Sequence, residues 1–339
     1  MRRVLVPHLV SGQAPAVDHS IHQLHGQTMG TSWSVSLVAA PERSLESIKT
    51  GIQRQLDTVV AQMSTWENDS NLSRYNQAAA NTWHTLPDEF FYVLRYALEV
   101  AQESEGAYDP TSGPLVNAWG FGPEARLTQR PEQAILNAAR ARVGWQRVSI
   151  DADHKRALQP GGIYLDLSAI AKGFAVDQVA RYLSQQGIAS YLVEVGGELC
   201  GTGIKPDALP WWVVLEKPHA LNTQNTALTE TVIALHGLAV ATSGDYRRYF
   251  TVNNADGPTQ YSHTIDPRSG DPIQHGLASV TVIHHDCITA DAVSTALNVL
   301  GADKGMAFAT ARSIPALFIT RTPSGFVEQM TPAFSALMQ

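Results

Sequence analysis

The order of helical and strand-like patterns along the chain limits the folds that it can adopt. Residues 44–63 carry apolar side chains at the spacing of an amphipathic helix. Two further helices are predicted, one after Pro87 and one with Pro131 as its first helical residue. Strand-like runs come mostly later, as in "SYLVEV" (190–195) and "LASVTVIHH" (277–285). Because regular βαβ winding would alternate the two patterns, this order indicates an α+β architecture.

Composition excludes several classes of protein. The 339 residues, 44% hydrophobic and 16% charged, are typical of a globular protein with a large core. A net charge of -7 and the lack of any Lys/Arg cluster argue against nucleic-acid binding. The two cysteines, Cys200 and Cys287, are far apart in sequence and form no CxxC motif. We therefore expect neither a disulfide framework nor a thiolate zinc site.

The first residues show no clear export signal. Arg2 and Arg3 resemble the start of a signal peptide, but Pro7 and His8 interrupt the short apolar run at 4–6. No run of 18 apolar residues occurs elsewhere, so no membrane span is expected. The sequence thus predicts a cytoplasmic protein.

The stretch "YLDLSAIAKGFAVDQVARYL" (164–183) is typical of a strand that leads into an amphipathic helix. Asp166 ends the predicted strand, and Lys172 lies at the start of the predicted helix. Free N–H groups at a helix start, together with a lysine, attract an anion such as phosphate. The chain has no Walker A motif, so this is not a P-loop. A plain strand–helix connection with a surface lysine is the alternative.

A further helix is predicted over "ITADAVSTALNVLG" (288–301). Asp291 and Thr295 lie four residues apart in it, and therefore on one face. Thr289 is predicted to cap its start and Gly301 to end it. A carboxylate and a hydroxyl suit Mg²⁺, whose other ligands would be water and phosphate oxygens. In the alternative, the Asp291 carboxylate only interacts favourably with the helix dipole, and the Thr295 hydroxyl donates a hydrogen bond to a backbone carbonyl.

The stretch "SHTIDPRSGDPI" (262–273) is rich in turn-forming proline and glycine. It contains His263, and an imidazole can act as a base near neutral pH. Since most of the twelve histidines of the chain cannot be catalytic, His263 is a candidate only in the company of the other motifs.

Four further segments combine turns of small or polar residues with aromatic side chains. Such aromatic residues suit either ring-binding surfaces or lids over a core. The segments are "TMGTSWSV" (28–35), "MSTWENDSNLSRYN" (63–76), "GAYDPTSGPLVNAWGFG" (106–122) and "TSGDYRRYF" (242–250).

Taken together and in this order, the motifs resemble the FAD:protein FMN transferases of the ApbE family, from about Gln27 to Ser313. The resemblance implies an α+β, ApbE-like (T-fold related) architecture in which a helix-rich N-terminal part packs on an antiparallel sheet. We expect one domain over residues 27–339, of one or two lobes, after a poorly ordered extension at 1–26.

The resemblance also implies a Mg²⁺-dependent reaction that cleaves FAD. FMN would be joined by a phosphoester bond to a Thr or Ser of an acceptor flavoprotein, and AMP would be released. Two rival functions stay open: an FAD pyrophosphatase, in which water replaces the acceptor hydroxyl, and a flavin-binding carrier without turnover.

Individual residues acquire expected roles through the same resemblance. His263 is expected to be catalytic, and Mg²⁺ is expected on the Ala169 carbonyl and the side chains of Asp291 and Thr295. FAD contacts are expected from Met29, Trp66, Ala107, Tyr108, Asp109, Asp166, Lys172 and, through a backbone atom, Ile265.

Two places depart from the family pattern. Ser168 and Ala169 stand where a glycine pair is common, which is tolerable at Ala169 if φ stays negative. The segment "GGELCGTG" (196–203) lacks the usual basic ending, which leaves the role of Glu198 open.

Overall fold

An eight-stranded sheet, antiparallel at every strand pair, forms the centre of the fold. The computed structural model describes residues 2–7, 15–16, 18–123, 127, 129–218, 228–245, 249–254 and 257–338. From one edge to the other, the strands of the sheet are β16 (Gly325–Met330), β15 (Ala316–Thr322), β14 (Leu277–His284), β11 (Leu238–Gly244), β8 (Glu198–Thr202), β7 (Tyr191–Val195), β3 (Thr31–Ala39) and β2 (Ser20–Thr28).

The described residues also form three smaller sheets. Their strands are β1 (Arg2–Leu5), β10 (Glu230–Leu235) and β9 (Trp211–Val214) in the first, β4 (Thr82–Thr85), β6 (Arg156–Gln159) and β5 (Ser149–Asp151) in the second, and the hairpin of β12 (Tyr249–Asn254) and β13 (Gly257–Ser262) in the third.

The α-helices of the described chain lie mostly before β7 or after β14. They are α1 (Leu45–Met63), α2 (Asn71–Asn76), α3 (Asp88–Glu103), α4 (Gly113–Ala118), α5 (Gln133–Arg140), α6 (Ala171–Gln185), α7 (Cys287–Ala311) and α8 (Pro332–Ser335). The α+β architecture predicted from the order of the elements is therefore confirmed. None of the helices in these ranges has the length and apolarity needed to cross a membrane.

The central sheet is covered on both faces. Helices α1, α6 and α7 pack on one face, while the sheet formed by β1, β10 and β9 packs on the other. In β11, Ala239 and Ala241 face the helices, and Val240 faces the small sheet. Burial on both faces explains why seven consecutive residues of β14 are buried, where a strand exposed on one face would alternate.

Two strands begin within residues 1–26, the stretch expected to be an extension. β1 pairs with β10, and every residue of β2 pairs with β3. Only Leu24 and Thr28 of β2 are buried, so this edge strand leaves little apolar signal in the sequence. The domain start predicted at residue 27 thus falls inside a strand.

Two predicted helix starts were wrong. α5 begins at Gln133, because Glu132 still has extended backbone, so Pro131 is not the first helical residue. α7 begins at Cys287, two residues before the predicted cap Thr289, whose hydroxyl lies 2.7 Å from that of Tyr96. Gly301 has non-helical backbone, with φ of 78° and ψ of 178°, so it ends the first part of α7 as predicted, and a second helical part continues after this kink to Ala311.

Asp177 explains why α7 starts early. This side chain of α6 accepts hydrogen bonds from the N–H groups of Cys287 and Ile288, both at 2.9 Å. Two of the four free N–H groups at the start of α7 are thereby satisfied from another helix. Burial raises the pKa of Asp177 to about 6, although the two hydrogen bonds act in the opposite direction.

This pKa predicts that the wild-type protein loses stability relative to Asp177→Asn as the pH rises from 4 to 7. The folded-state pKa lies above the unfolded value of roughly 3.9, so the folded state binds more protons between the two values and its stability falls with pH. The change should be at most about 3 kcal/mol. Urea unfolding of both proteins across this range measures it, and parallel pH curves would contradict the prediction.

Candidate active site at the start of helices α6 and α7

Asp291 and Thr295 lie on one face of α7, as their spacing predicts. Asp291 is buried, and its Oδ2 accepts a hydrogen bond from Gly173 N–H of α6 at 2.8 Å. A side chain at Gly173 would overlap the carbonyl of Cys287 and lie 2.7 Å from Asp291 Cβ. The Thr295 hydroxyl lies 3.2 Å from that of Ser243 in β11. Helices α6 and α7 are therefore in close contact beside Asp291, a predicted metal ligand.

Asn298 ties the same face of α7 to the loop that contains His263. The side chain is fully buried, and its Nδ2 donates to Thr264 Oγ1 at 3.3 Å. His263 follows β13 directly, and its ring meets that of Phe121 edge-on, with 6.3 Å between centroids. Asn298 was not predicted as a site residue, although it lies seven residues after Asp291 and so on the same helix face.

Tyr108 lies near the carboxylates of Asp291, Asp166 and Asp109. The side chain is 3% exposed, and its hydroxyl has no hydrogen-bond partner among the described residues. Burial, together with the carboxylates of Asp291, Asp166 and Asp109, raises its pKa well above the usual range. A buried hydroxyl of this kind suggests that a bound ligand or water completes its hydrogen bonding.

Asp109 and Asp166 hold the turns around this tyrosine. Asp109 accepts hydrogen bonds from the N–H and hydroxyl of Thr111, at 2.8 and 2.6 Å, and from Trp145 N–H at 3.2 Å. Burial raises the pKa of Asp109, against these hydrogen bonds. Asp166 N–H donates to the Pro110 carbonyl at 2.8 Å. Asp109 is engaged in these hydrogen bonds, and Ala107, two residues earlier, is buried.

The segment before α6 corrects one expectation. Residues 163–167 form no strand. The N–H of Leu165 donates to Asn76 Oδ1 at 2.7 Å, and its carbonyl accepts from Asn76 Nδ2 at 2.9 Å. These backbone groups therefore do not bond to a neighbouring strand. Ser168 N–H then donates to Asp166 Oδ1 at 2.8 Å. Neither Ser168 nor Ala169 has a positive φ, so the replacement of a glycine pair introduces no backbone strain here.

Two tight turns lie beside Lys172. Met29 and Gly30 join β2 to β3 with φ of 49° and 69°, values typical of a type I′ hairpin. Gly196 is in the turn between β7 and β8, and a side chain there would lie 2.9 Å from Thr31 Cγ2 and 3.3 Å from Lys172 Cδ. The Met29 turn, the Gly196 turn and Lys172 are therefore neighbours.

Lys172 is the second residue of α6 and forms an ion pair. Its Nζ lies 2.5 Å from Oε1 of Glu198, a side chain that is 2% exposed. The sequence indicated an anion site at Lys172, but nothing in the motifs revealed this partner.

Trp66 and Ile265 have opposite environments. Trp66 follows α1 and is 60% exposed, with its N–H bonded to the Ser64 hydroxyl at 3.1 Å, so it is no lid over a core. Ile265 is buried against Leu115 and Trp119. A ligand could therefore stack on the ring of Trp66, whereas the side chain of Ile265 is enclosed in the core.

The oxygen donors suit Mg²⁺. Across the described ranges, no cluster of three or more His, Cys, Asp or Glu side chains is arranged to hold a metal. The predicted set has one carboxylate, on Asp291, with the Thr295 hydroxyl and the Ala169 carbonyl. Hard oxygen donors with few charges fit a cation that keeps several waters, so this set favours Mg²⁺ over a transition metal.

A groove of about 400 Å³ lies elsewhere, between α1, α3 and α6. Its lining includes Tyr92, Phe174, Gln178 and Arg181, and none of the predicted site residues. The predicted site therefore does not lie in this groove. Residues 246–248 of the "TSGDYRRYF" motif lie outside the described residues.

Comparison with known proteins shows similarity over nearly the whole chain. The FAD:protein FMN transferase of Vibrio cholerae is 41% identical over 316 residues, 93% of this chain and 92% of the relative. That of Haemophilus influenzae is 40% identical over 332 residues, 95% and 93% of the two chains. The apo crystal structure of the flavinyl transferase ApbE of Pseudomonas stutzeri has a TM-score of 0.85 and 38% identity, covering 94% of this chain and 97% of its own.

The fold comparison confirms the ApbE-like architecture that the motifs imply. The model of the ApbE family matches residues 29–318, which include every residue predicted for the site. The chain therefore belongs to the ApbE family.

Proposed function

We propose that this chain is an FAD:protein FMN transferase. It cleaves FAD, joins FMN through a phosphoester bond to a Thr or Ser of an acceptor flavoprotein, and releases AMP. Full-length similarity to transferases of that name supports the reaction. The observation that carries it is the face of α7, where Asp291, Thr295 and Asn298 contact α6, β11 and the loop of His263. The acceptor protein and the cytoplasmic location stay predictions.

The start of α6 would receive the diphosphate of FAD. The helix dipole places partial positive charge there, and the Lys172 ammonium adds a full charge. The ring systems of FAD would contact the exposed ring of Trp66 and the Met29 turn. Further contacts with FAD would come from Asp166 and from the backbone of residues 107–109 and Ile265. These assignments rest on motif position and, for Trp66, on its exposed ring.

The Ala169 carbonyl, Asp291 and Thr295 would hold Mg²⁺. When bound, this cation would neutralise charge on the diphosphate. Asp291 already accepts the Gly173 N–H bond through one oxygen, so its other oxygen would bind the cation. The buried hydroxyl of Tyr108 lies near the same carboxylate and can bond to a water or phosphate oxygen there.

The transfer step forms one bond and breaks another. The acceptor hydroxyl oxygen bonds to the FMN phosphorus, and the phosphorus–oxygen bond to AMP breaks, so AMP leaves. His263 takes the proton of the hydroxyl, and the hydrogen bond between Asn298 and Thr264 holds its loop on α7. Lys172 and the α6 start stabilise the negative charge that develops on the departing phosphate.

Incubation with FAD, Mg²⁺ and an acceptor domain that carries a flavinylation Ser or Thr tests the reaction. We expect the acceptor mass to increase by one FMN group, with one AMP released per acceptor, and a Ser/Thr→Ala acceptor to stay unmodified. Free FMN and AMP formed equally fast without acceptor would identify a pyrophosphatase instead. FAD that binds but stays intact would identify a carrier.

Asp291→Asn should separate the metal role from the structural one. The amide oxygen can still accept the Gly173 N–H bond, while the negative charge is lost. We expect Mg²⁺ affinity to fall by more than about tenfold and the melting temperature to stay near that of the wild type. Calorimetric titration with Mg²⁺ measures the affinity. Asp286→Asn, at the N-cap of the same helix, is the matched control, and equal Mg²⁺ affinities for the two variants would exclude Asp291 as a ligand.

His263→Ala should separate catalysis from binding. If His263 is the general base, the variant should bind FAD and Mg²⁺ normally and transfer FMN roughly 10²–10⁴ times more slowly. His154→Ala removes an exposed histidine paired with Asp151 and should keep full activity. Transfer at the wild-type rate by His263→Ala would mean that another group activates the acceptor hydroxyl.

A further inference from the structure

Three hydroxyl groups form a hydrogen-bonded line that ends at Thr295. The Ser294 hydroxyl lies 2.9 Å from the backbone carbonyl of Asp291 and 2.8 Å from the hydroxyl of Ser243 in β11. The Ser243 hydroxyl in turn lies 3.2 Å from that of Thr295. Ser294 is fully buried, whereas Ser243 and Thr295 are half-buried. The line therefore begins in the core and ends at a predicted metal ligand.

The carbonyl at the buried end determines the direction of every proton in this line. A hydroxyl has a single proton to donate, and a carbonyl oxygen only accepts. The Ser294 proton therefore goes to the Asp291 carbonyl, and the Ser294 oxygen accepts the proton of Ser243. The Ser243 oxygen is then left to accept the proton of Thr295. Reversing one of these bonds would place oxygen lone pairs against each other in a partly buried site, which costs free energy.

The direction of the Thr295 proton matters for a cation. A hydroxyl binds a cation through its lone pairs, and a proton turned toward the cation would repel it. We infer that Ser243 is a positioning residue: its oxygen takes the Thr295 proton, so that the lone pairs of Thr295 stay available to Mg²⁺. Ser243 belongs to the motif "TSGDYRRYF" (242–250), in which no site residue was predicted. This inference rests on the proposed function, because it takes Thr295 as a Mg²⁺ ligand.

The neighbouring residue Thr242 provides a matched control. Successive side chains of a strand point to opposite faces of the sheet, so Thr242 faces away from α7. It is 6% exposed, and its hydroxyl lies 2.9 Å from that of Thr281 in β14. Thr242 and Ser243 thus form the same kind of bond from the same strand, and of the two only Ser243 bonds to α7.

Mg²⁺ binding by Ser243→Ala, measured by calorimetric titration without FAD or acceptor, tests the inference. We expect the affinity to fall by roughly tenfold, a loss typical of removing a group that orients a metal ligand. Thr242→Val removes the control hydroxyl and should bind Mg²⁺ like the wild type. Wild-type affinity in Ser243→Ala would overturn the inference. An equal loss in Thr242→Val would also overturn it, because the effect would then not depend on the bond to Thr295.

A double variant shows whether Ser243 acts through Thr295. Thr295→Val removes the hydroxyl and should itself lose Mg²⁺ affinity. In that background, Ser243→Ala should cause no further loss, because no Thr295 proton is left to direct. A second loss of roughly tenfold would contradict the inference, since Ser243 would then act on the cation by another route.

Melting temperatures measured without Mg²⁺ separate positioning from folding. Ser243→Ala removes one oxygen atom from a half-buried side chain, so we expect it to melt close to the wild-type temperature. A large fall in melting temperature together with the loss of affinity would assign the effect to folding and overturn the inference.

Failure of the inference can be distinguished from failure of the proposed function. If the wild type binds Mg²⁺ and transfers FMN, and Thr295→Val loses Mg²⁺ affinity while Ser243→Ala does not, only the role of Ser243 is wrong. If the wild type binds no Mg²⁺, or if Thr295→Val binds it normally, the proposed metal site is wrong and the positioning role fails with it.

Discussion

The starts of α6 and α7 are held together by two reciprocal carboxylate–amide contacts. Asp177 of α6 accepts the N–H groups of Cys287 and Ile288 in α7, and Asp291 of α7 accepts Gly173 N–H in α6. Each helix therefore satisfies free N–H groups of the other, which a helix start cannot satisfy internally. The contact requires glycine at 173, because any side chain would overlap α7. The positions of the neighbouring site residues depend on this contact.

Two side chains that stabilise the fold at this site are also proposed to bind ligands. Asp291 fixes the helix contact through one carboxylate oxygen and is the proposed cation ligand through the other. Lys172 compensates the buried charge of Glu198 and is the proposed phosphate contact. Substitutions at such residues change stability and ligand binding together, so loss of activity alone cannot assign a role to either. Variants that preserve one interaction and remove the other are the informative ones.

The sequence predicted what depends on local spacing. The helical period placed Asp291 and Thr295 on one face, and the order of the elements predicted the α+β class. Contacts between distant segments were missed. The early start of α7 depends on Asp177, more than a hundred residues away, and the segment at 163–167 bonds to the side chain of Asn76 where a strand was expected. The ion pair between Glu198 and Lys172 was not predicted either. It joins the start of β8 to the start of α6, and no local sequence pattern indicates such a contact.

The structure of the protein with FAD and Mg²⁺ is the most direct test of this account. We predict a cation about 2.1 Å from one oxygen of Asp291, the Thr295 hydroxyl and the Ala169 carbonyl, with Gly173 N–H still bonded to the other Asp291 oxygen. A cation held by other residues while the contact between Gly173 and Asp291 stays intact would contradict the claim that the paired helix starts form the metal site.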